Sequence, residues 1–252
     1  VTDLALYNDA LTGSSSRPDV PAAPRVAYSR TLSGLPVDRE VARVVDAAVT
    51  ALADAGWQII EAEPDLQISE LSFERLRALS YWNAWGHLLG DERIKEDVQY
   101  ELRLGKGLSD DEIEAAQMSE MAAKTRWDDF LTGAAGSPGF DLMVAPVSQV
   151  PPFPIGWASV SEIEGMTLPH YKDWMRSCCR ITSTGAPAVS LPAGFTESGL
   201  PIGLQLVGRW NRDRALLQHV RVAEEVFGTA PAPDIGALAI TDPATLPPGP
   251  LG

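Results

Sequence analysis

The sequence predicts an α/β fold, and three observations carry that prediction. A strand, an amphipathic helix and a second strand follow one another within residues 25–62, which is the βαβ pattern of a parallel sheet. Residues 68–132 have an almost wholly helical pattern, and apolar strands follow at residues 140–146, 187–193 and 201–207. With 252 residues, 45% of them hydrophobic, the chain can bury a substantial core as one large domain.

The N-terminal quarter contains two predicted helices. Residues 2–13 predict a short helix, capped by Thr2 or Asp3 and ended by Gly13. Residues 37–56 predict a longer amphipathic helix that ends at its final glycine. The apolar face of this second helix is formed by Val41, Val44, Val45, Ala48 and Leu52.

The remaining elements follow from capping residues and prolines. Ser69 and Ser109 are predicted N-caps of the long helical run, which the glycines around residue 106 interrupt. A proline-rich loop after the strand at residues 140–146 has the length typical of functional loops. Residues 172–184 predict a helix, and Asp213 is the predicted cap of the last one.

Two apolar strands at residues 187–193 and 201–207 are joined by a short polar segment, which predicts a hairpin. The final helix is expected to run through Phe227. We divide the chain into a domain at residues 1–229 and an irregular, proline-rich tail at residues 230–252.

Composition excludes several classes of function. The net charge of −14 argues against binding to nucleic acid, which needs clustered lysine and arginine. The sequence contains no run of 18 or more apolar residues, so no membrane span is predicted. The N-terminus lacks the basic region of a secretory signal. Two adjacent cysteines make no disulfide framework, and three scattered histidines suggest no metal site. We therefore expect a cytoplasmic protein that binds neither membrane nor nucleic acid.

Candidate nucleophiles are few. Ser190 lies between apolar residues and prolines, but the G-x-S-x-G elbow of the serine hydrolases is absent, so a strand serine is the simpler interpretation. Cys178 or Cys179 with His170 would form a thiolate–imidazole pair, although free cysteines are more often small buried residues. The acids at residues 61, 63 and 65 alternate at a strand end and fit a solvated surface.

Three motifs occur in a fixed order in the last quarter of the chain. Gly185–Pro192 has the pattern G-x-P-A-x-S-x-P, Gly199–Gly208 has the pattern G-L-P-x-G-L-Q-x-V-G, and Asp213 opens the final helix. In this order the motifs resemble the C-terminal part of the amidase signature enzymes. The first helix, the strand–helix–strand unit and the strand ending at Pro146 resemble segments of the same family, so the resemblance extends to Phe227.

This resemblance implies a three-layer α/β/α sandwich on a mixed β-sheet, incomplete in this chain. It also implies hydrolysis of carboxylic amides by a Ser–cis-Ser–Lys triad, without metal or organic cofactor. The triad lies upstream of the matching region, and the four lysines here occupy segments that do not match the catalytic one. No catalytic residue is therefore carried over, this chain alone is expected to be inactive, and Ser190 is interpreted as a strand residue that supports the site.

Three hypotheses remain open at this stage. The first is the C-terminal part of an amidase whose partner is an upstream fragment or chain, or a second copy in a homodimer, and whose substrate is a small amide. The second is a truncated, non-catalytic chain that serves only in association. The third and weakest is a cysteine hydrolase that uses Cys178 or Cys179.

The substrate pocket is predicted to be walled by three segments: an aromatic helix near Tyr81, the loop after Pro146, and one face of the helix before residue 185. Such a pocket would be mostly apolar and would favour bulky or aromatic acyl groups. For any one of these aromatic residues, packing in the core is the simpler interpretation. The residues predicted to bind substrate are Trp82, Trp85, Val147, Ser148, Trp174, Cys178 and Thr182.

Overall fold

The structure, a computed structural model, describes residues 1–15, 17–134, 136 and 138–228. The helices are α1 (Thr2–Thr12), α2 (Arg39–Asp54), α3 (Ser69–Trp85), α4 (Glu96–Gly107), α5 (Asp110–Thr132), α6 (Arg176–Thr184) and α7 (Asp213–Phe227). The strands are β1 (Arg25–Tyr28), β2 (Gln58–Glu61), β3 (Leu142–Pro146), β4 (Glu162–Ile163), β5 (Met166–Thr167), β6 (Ala188–Phe195) and β7 (Pro201–Val207). The predicted tail at residues 230–252 lies outside the described residues.

Five strands form one mixed sheet in the order β2-β1-β3-β7-β6. Strand β1 pairs in parallel with β2 and β3, which confirms the βαβ unit predicted from residues 25–62. Strand β7 runs antiparallel to both β3 and β6, so the predicted hairpin is also present. The short strands β4 and β5 form a separate ribbon within the loop that follows β3.

Helices cover both faces of the sheet, which confirms the α/β/α sandwich. Helices α2 and α7 pack on one face, against alternate residues of the strands such as Val26, Leu142 and Leu204. The intervening residues, among them Ala27 and Met143, pack on the other face beneath α5 and α6. Helix α3 lies against α5 and α6, and α4 packs on α3, so the two helices extend that second layer. The alternation follows from the two-residue period of a strand.

Helix α2 shows why the periodicity argument succeeds. All five residues predicted for its apolar face are buried, together with Val49. The Asp38 carboxylate accepts a hydrogen bond from the backbone N–H of Glu40 and caps the helix. Beyond the helix, Gly56 has a φ of 95°, a conformation that strongly favours glycine and ends the element.

Of the side-chain caps predicted at the starts of four helices, the structure contains one. Ser109 and Glu112 form a full capping box at the start of α5, as predicted for Ser109. The predictions for Ser69, Asp213 and the Thr2–Asp3 pair are wrong, because each of these residues already lies inside the first turn of its helix. The Ser69 hydroxyl instead donates to the carbonyl of Leu66 at 2.7 Å.

Helix α4 crosses α3 at very short range. A Cβ placed on Gly105 would lie 2.1 Å from the carbonyl oxygen of Ala78, so only glycine permits this approach. The helical run then ends at Gly107, close to the predicted interruption. Within the described part of the chain, every helix is too short or too polar to span a bilayer. The cytoplasmic location stays a prediction.

Candidate functional site

A cavity of about 290 Å³ opens at the C-terminal end of β3. The carboxyl ends of sheet strands are where α/β proteins commonly contact ligands. Most of the lining is apolar, and the side-chain hydroxyls are those of two serines. The lining residues are Val147, Ser148, Val150, Pro151, Pro152, Phe153, Trp174, Ser190, Pro201, Ile202 and Gly203.

The floor of the cavity depends on one glycine. The backbone N–H of Val147 donates to the carbonyl of Gly203 at 3.3 Å and extends the pairing of β3 with β7. A Cβ on Gly203 would lie 3.0 Å from both the Ser190 hydroxyl and the Val147 side chain. Because both contacts are tighter than ordinary packing allows, a larger residue here would displace the cavity wall.

Gln149 fixes the wall, and it was missed in the sequence. Its side chain is fully buried; the amide nitrogen donates to the Pro36 carbonyl at 3.0 Å, and the amide oxygen accepts from the Ser177 N–H at 3.3 Å. Its backbone carbonyl accepts from the Asp38 N–H at 2.8 Å. A buried amide with partners at both its nitrogen and its oxygen joins three separate segments and stabilises the loop.

Trp174 is held by a buried ionic cluster on its N-terminal side. The Glu101 carboxylate, which is fully buried, accepts hydrogen bonds from the Tyr171 hydroxyl at 2.7 Å and the Lys172 ammonium at 3.1 Å. Burial, with the neighbouring Glu101 charge, raises the pKa of Tyr171 well above its usual range. The cluster ties α4 to the segment that carries Trp174, so the position of this wall depends on a charge pair outside the cavity.

Cys178 lies directly behind Val147 and not at the cavity surface. Its Sγ donates to the Val147 carbonyl at 2.9 Å, and the neighbouring Ser177 hydroxyl donates to the same oxygen at 2.6 Å. Burial raises the pKa of the Cys178 thiol, which disfavours the thiolate that a nucleophile requires. Burial also raises the pKa of Cys179 to about 12.

The described hydrogen bonds join neither cysteine to His170. The His170 side chain is exposed, and its ring is tilted against Tyr100 at a centroid distance of 6.1 Å. Ser190 is exposed on β6, and none of the described residues hydrogen-bonds its hydroxyl. Among the described residues, therefore, no base is hydrogen-bonded to any of these three candidate nucleophiles.

Three of the predicted site residues lie elsewhere. Trp82 packs against α4, where its ring lies 5.8 Å from the Lys106 ammonium. Trp85 is 46% exposed and makes an edge contact with Tyr81 at 4.9 Å. Thr182 is exposed and borders a separate small cavity between α3 and α6. The structure thus brings together Val147, Ser148, Trp174 and Cys178. The other three are separate because Trp82 and Trp85 belong to α3, and Thr182 lies one helical turn beyond Cys178, beside α3.

A larger cavity, of about 750 Å³, lies between α3, α5 and the segment preceding α6. Its charged groups are mostly paired with one another: Glu70 with Arg176 and Arg180, and Asp173 with Arg176. It lies on the far side of α6, away from the strand ends. We favour the smaller cavity as the functional site because it combines the strand ends, an apolar lining and an unpaired sheet edge.

That edge belongs to β6. The Gly208 N–H donates to the Pro187 carbonyl, so residues 187, 189 and 191 direct their backbone groups toward β7. By alternation Ala188 and Ser190 direct theirs away from β7, and no described strand pairs with that side. A row of unsatisfied donors and acceptors therefore borders the cavity.

Comparison with known proteins gives a consistent result. The amidase family model matches residues 9–217. An acylamidase of Rhodococcus erythropolis is 27% identical over 207 residues, which is 80% of this chain and 42% of the relative. A glutamyl-tRNA(Gln) amidotransferase component from Alkaliphilus metalliredigens is 34% identical over 89 residues, 35% of this chain and 17% of the relative.

Two solved structures share the fold. A crystal structure of an amidase superposes with a TM-score of 0.77 at 22% identity, covering 90% of this chain and 51% of that one. The 6-aminohexanoate cyclic dimer hydrolase bound to its substrate gives a TM-score of 0.69 at 20% identity, covering 85% and 48%. The chain spans about half the length of these solved relatives. From the family match and the shared fold, we conclude that the chain belongs to the amidase family, with the fold of the amidase signature enzymes.

Proposed function

We propose that this chain is the C-terminal portion of an amidase that hydrolyses carboxylic amides to an acid and ammonia or an amine. The observation that carries the proposal is the apolar cavity beside the unpaired edge of β6. Because unsatisfied backbone groups border the cavity, its lining residues form one wall of a larger site. The catalytic serines and lysine are assigned to an upstream segment or second chain. Within the proposed domain at residues 1–229, the described residues form this wall and its supporting layers.

Within this proposal the substrate is a small amide whose acyl group enters the apolar cavity. Trp174 and Val147 supply apolar contact, while the Ser148 hydroxyl is available as a hydrogen-bond partner. Cys178 supports Val147 from behind through its hydrogen bond to the Val147 carbonyl. With its net charge of −14 the chain is not proposed to bind tRNA, although one relative belongs to a tRNA-dependent amidotransferase.

The test is an amide panel with and without the upstream half of the protein. The chain alone is expected to release no ammonia above the buffer, and the complete protein is expected to hydrolyse part of the panel. Trp174→Ala in the complete protein should shift the ranking of acyl groups by about 1–3 kcal/mol in kcat/KM. An unchanged ranking, with only a lowered melting temperature, would assign Trp174 to the core.

A non-catalytic association module is the second candidate, and the unpaired β6 edge favours it. The partner is an upstream fragment or chain, or a second copy of this chain. If the purified complete protein forms a stable assembly but hydrolyses none of the panel, association alone is its function.

A further inference from the structure

Three aromatic rings form a continuous series from the cavity to the protein surface. Trp174, in the cavity wall, meets Phe153 edge-on at a centroid distance of 5.1 Å. Phe153 stacks on Trp157 at 6.4 Å with an interplanar angle of 21°. Phe153 lines the cavity, whereas Trp157 is 56% exposed. The series therefore extends the apolar wall beyond the cavity mouth.

Core packing accounts for only part of this series. Val150, Val160 and Ile163 are buried and form the small core of the loop, and Phe153 and Trp174 pack against it. Trp157 is not part of that core, so its large exposed ring does not serve to anchor the loop. An exposed tryptophan that continues a cavity wall offers a ligand both an apolar ring and a polar N–H.

The loop holds Trp157 in place before any ligand arrives. The backbone N–H of Trp157 donates to the carbonyl of Pro154 at 2.9 Å, which closes a turn and returns the ring over Phe153. Prolines at positions 151, 152 and 154 restrict the backbone on the way. No charged residue occurs between Pro146 and Glu162, so the loop itself offers no charged side chain to a ligand. A preorganised, uncharged aromatic face suits a flat neutral ring.

We propose that Phe153 and Trp157 form an aromatic subsite that binds a planar ring at the distal end of the amide substrate. The subsite rests on the proposed function, because the reactive amide is placed in the adjoining cavity. Substrates that carry an aryl group beyond a short acyl chain would contact both regions at once, while short aliphatic amides would contact the cavity alone.

The experiment compares butyramide with 4-phenylbutyramide as substrates of the complete protein. Trp157→Ala should lower kcat/KM for 4-phenylbutyramide about tenfold, equivalent to about 1.4 kcal/mol, and leave that for butyramide unchanged. Trp157→Phe should retain most of the preference because a ring remains. Ile155→Ala is the matched control, since Ile155 is fully exposed in the same loop and lies outside the stack; it should change neither value.

Equal losses with both amides, or no loss with either, would overturn the subsite while leaving the amidase proposal intact. In the alternative arrangement, the upstream segment or second chain covers Trp157. Acrylamide quenching tests this, with the Trp157 signal taken as the difference between the wild type and Trp157→Phe. Accessibility without substrate and shielding by 4-phenylbutyramide support the subsite; shielding without substrate overturns it. If the complete protein hydrolyses no amide, the proposed function fails and the subsite with it.

Discussion

The two edges of the main sheet differ sharply. Strand β2 has four residues, begins with Gln58 and ends with Glu61, and is followed by a further acid at Glu63. Strand β6 has eight residues without a charge, and Ala188, Ser190 and Pro192 are among those exposed. Short, charged strands prevent edge-to-edge pairing, whereas long apolar ones invite it. From this comparison we infer that β2 ends the sheet and propose that β6 receives another strand.

The largest expected effect comes from blocking the β6 edge. Ser190→Pro removes one outward N–H and leaves the ladder with β7 intact, because proline is tolerated on the unpaired side of an edge strand. Association with the upstream half should weaken at least tenfold, measured by titration calorimetry, and amidase activity should fall in proportion.

Gln58→Lys at the β2 edge is the matched control and should leave association unchanged. The claim that β6 and not β2 pairs with the upstream half is wrong if Ser190→Pro assembles as well as the wild type. It is also wrong if the substitution in β2 weakens assembly equally.

The next effect concerns the cores beneath the two edges. Leu191 of β6 is 5% exposed and packs under α2 and α7, whereas Ile59 of β2 is only partly buried. Leu191→Ala should lower the free energy of unfolding by about 2–4 kcal/mol, and Ile59→Ala by about 1 kcal/mol. Urea denaturation of the assembled protein measures both. Equal losses of unfolding free energy would show that β6 packs no more tightly against the helices than β2 does.

A smaller loss of stability is expected from substitution of Gln149, which lies in the loop after β3. Gln149→Leu removes the partners of the Ser177 N–H and the Pro36 carbonyl and should cost about 1–3 kcal/mol of stability. Gln149→Glu keeps an acceptor for Ser177 but buries a charge, so it should be no better. Thermal unfolding followed by circular dichroism measures the stability of both variants against the wild type. If Gln149→Leu is as stable as the wild type, Gln149 does not support the cavity wall.

The smallest energetic effect comes from removing the polar ends of β2. The double substitution Gln58→Val with Glu61→Val should change the unfolding free energy by no more than about 0.5 kcal/mol, since both positions are exposed. It should nevertheless increase self-association, seen as a rise in light scattering with concentration. Unchanged scattering would mean that the polar residues do not protect this edge.

Much of the fold was predictable because its signals are local. The buried face of α2, the βαβ unit, the β6–β7 hairpin and the capping box at Ser109 each depend on residues close together in sequence or on a simple period. The misplaced caps at Ser69 and Asp213 are errors of a single position, since serine and aspartate also suit the first turn.

The candidate site was predictable only in part. Val147 and Ser148 follow from the rule that ligands gather at strand ends, and Trp174 from its four-residue spacing to Cys178. Trp82 was predicted from a concentration of aromatic residues and Thr182 from four-residue helical spacing, and neither signal identifies the neighbour that the side chain meets. No local signal marks Gln149, because an isolated glutamine suits the protein surface equally well.

The sequence by itself determined the fold class and the amidase resemblance, because periodicity and motif order are properties of neighbouring residues. Only the tertiary structure decided which residues share the cavity, that Cys178 is a half-buried support behind Val147, and that β6 presents an edge that no described strand pairs with. The physical reason is distance along the chain. Gln149 bonds to Pro36, 113 residues away, and such contacts form only when separate layers pack together.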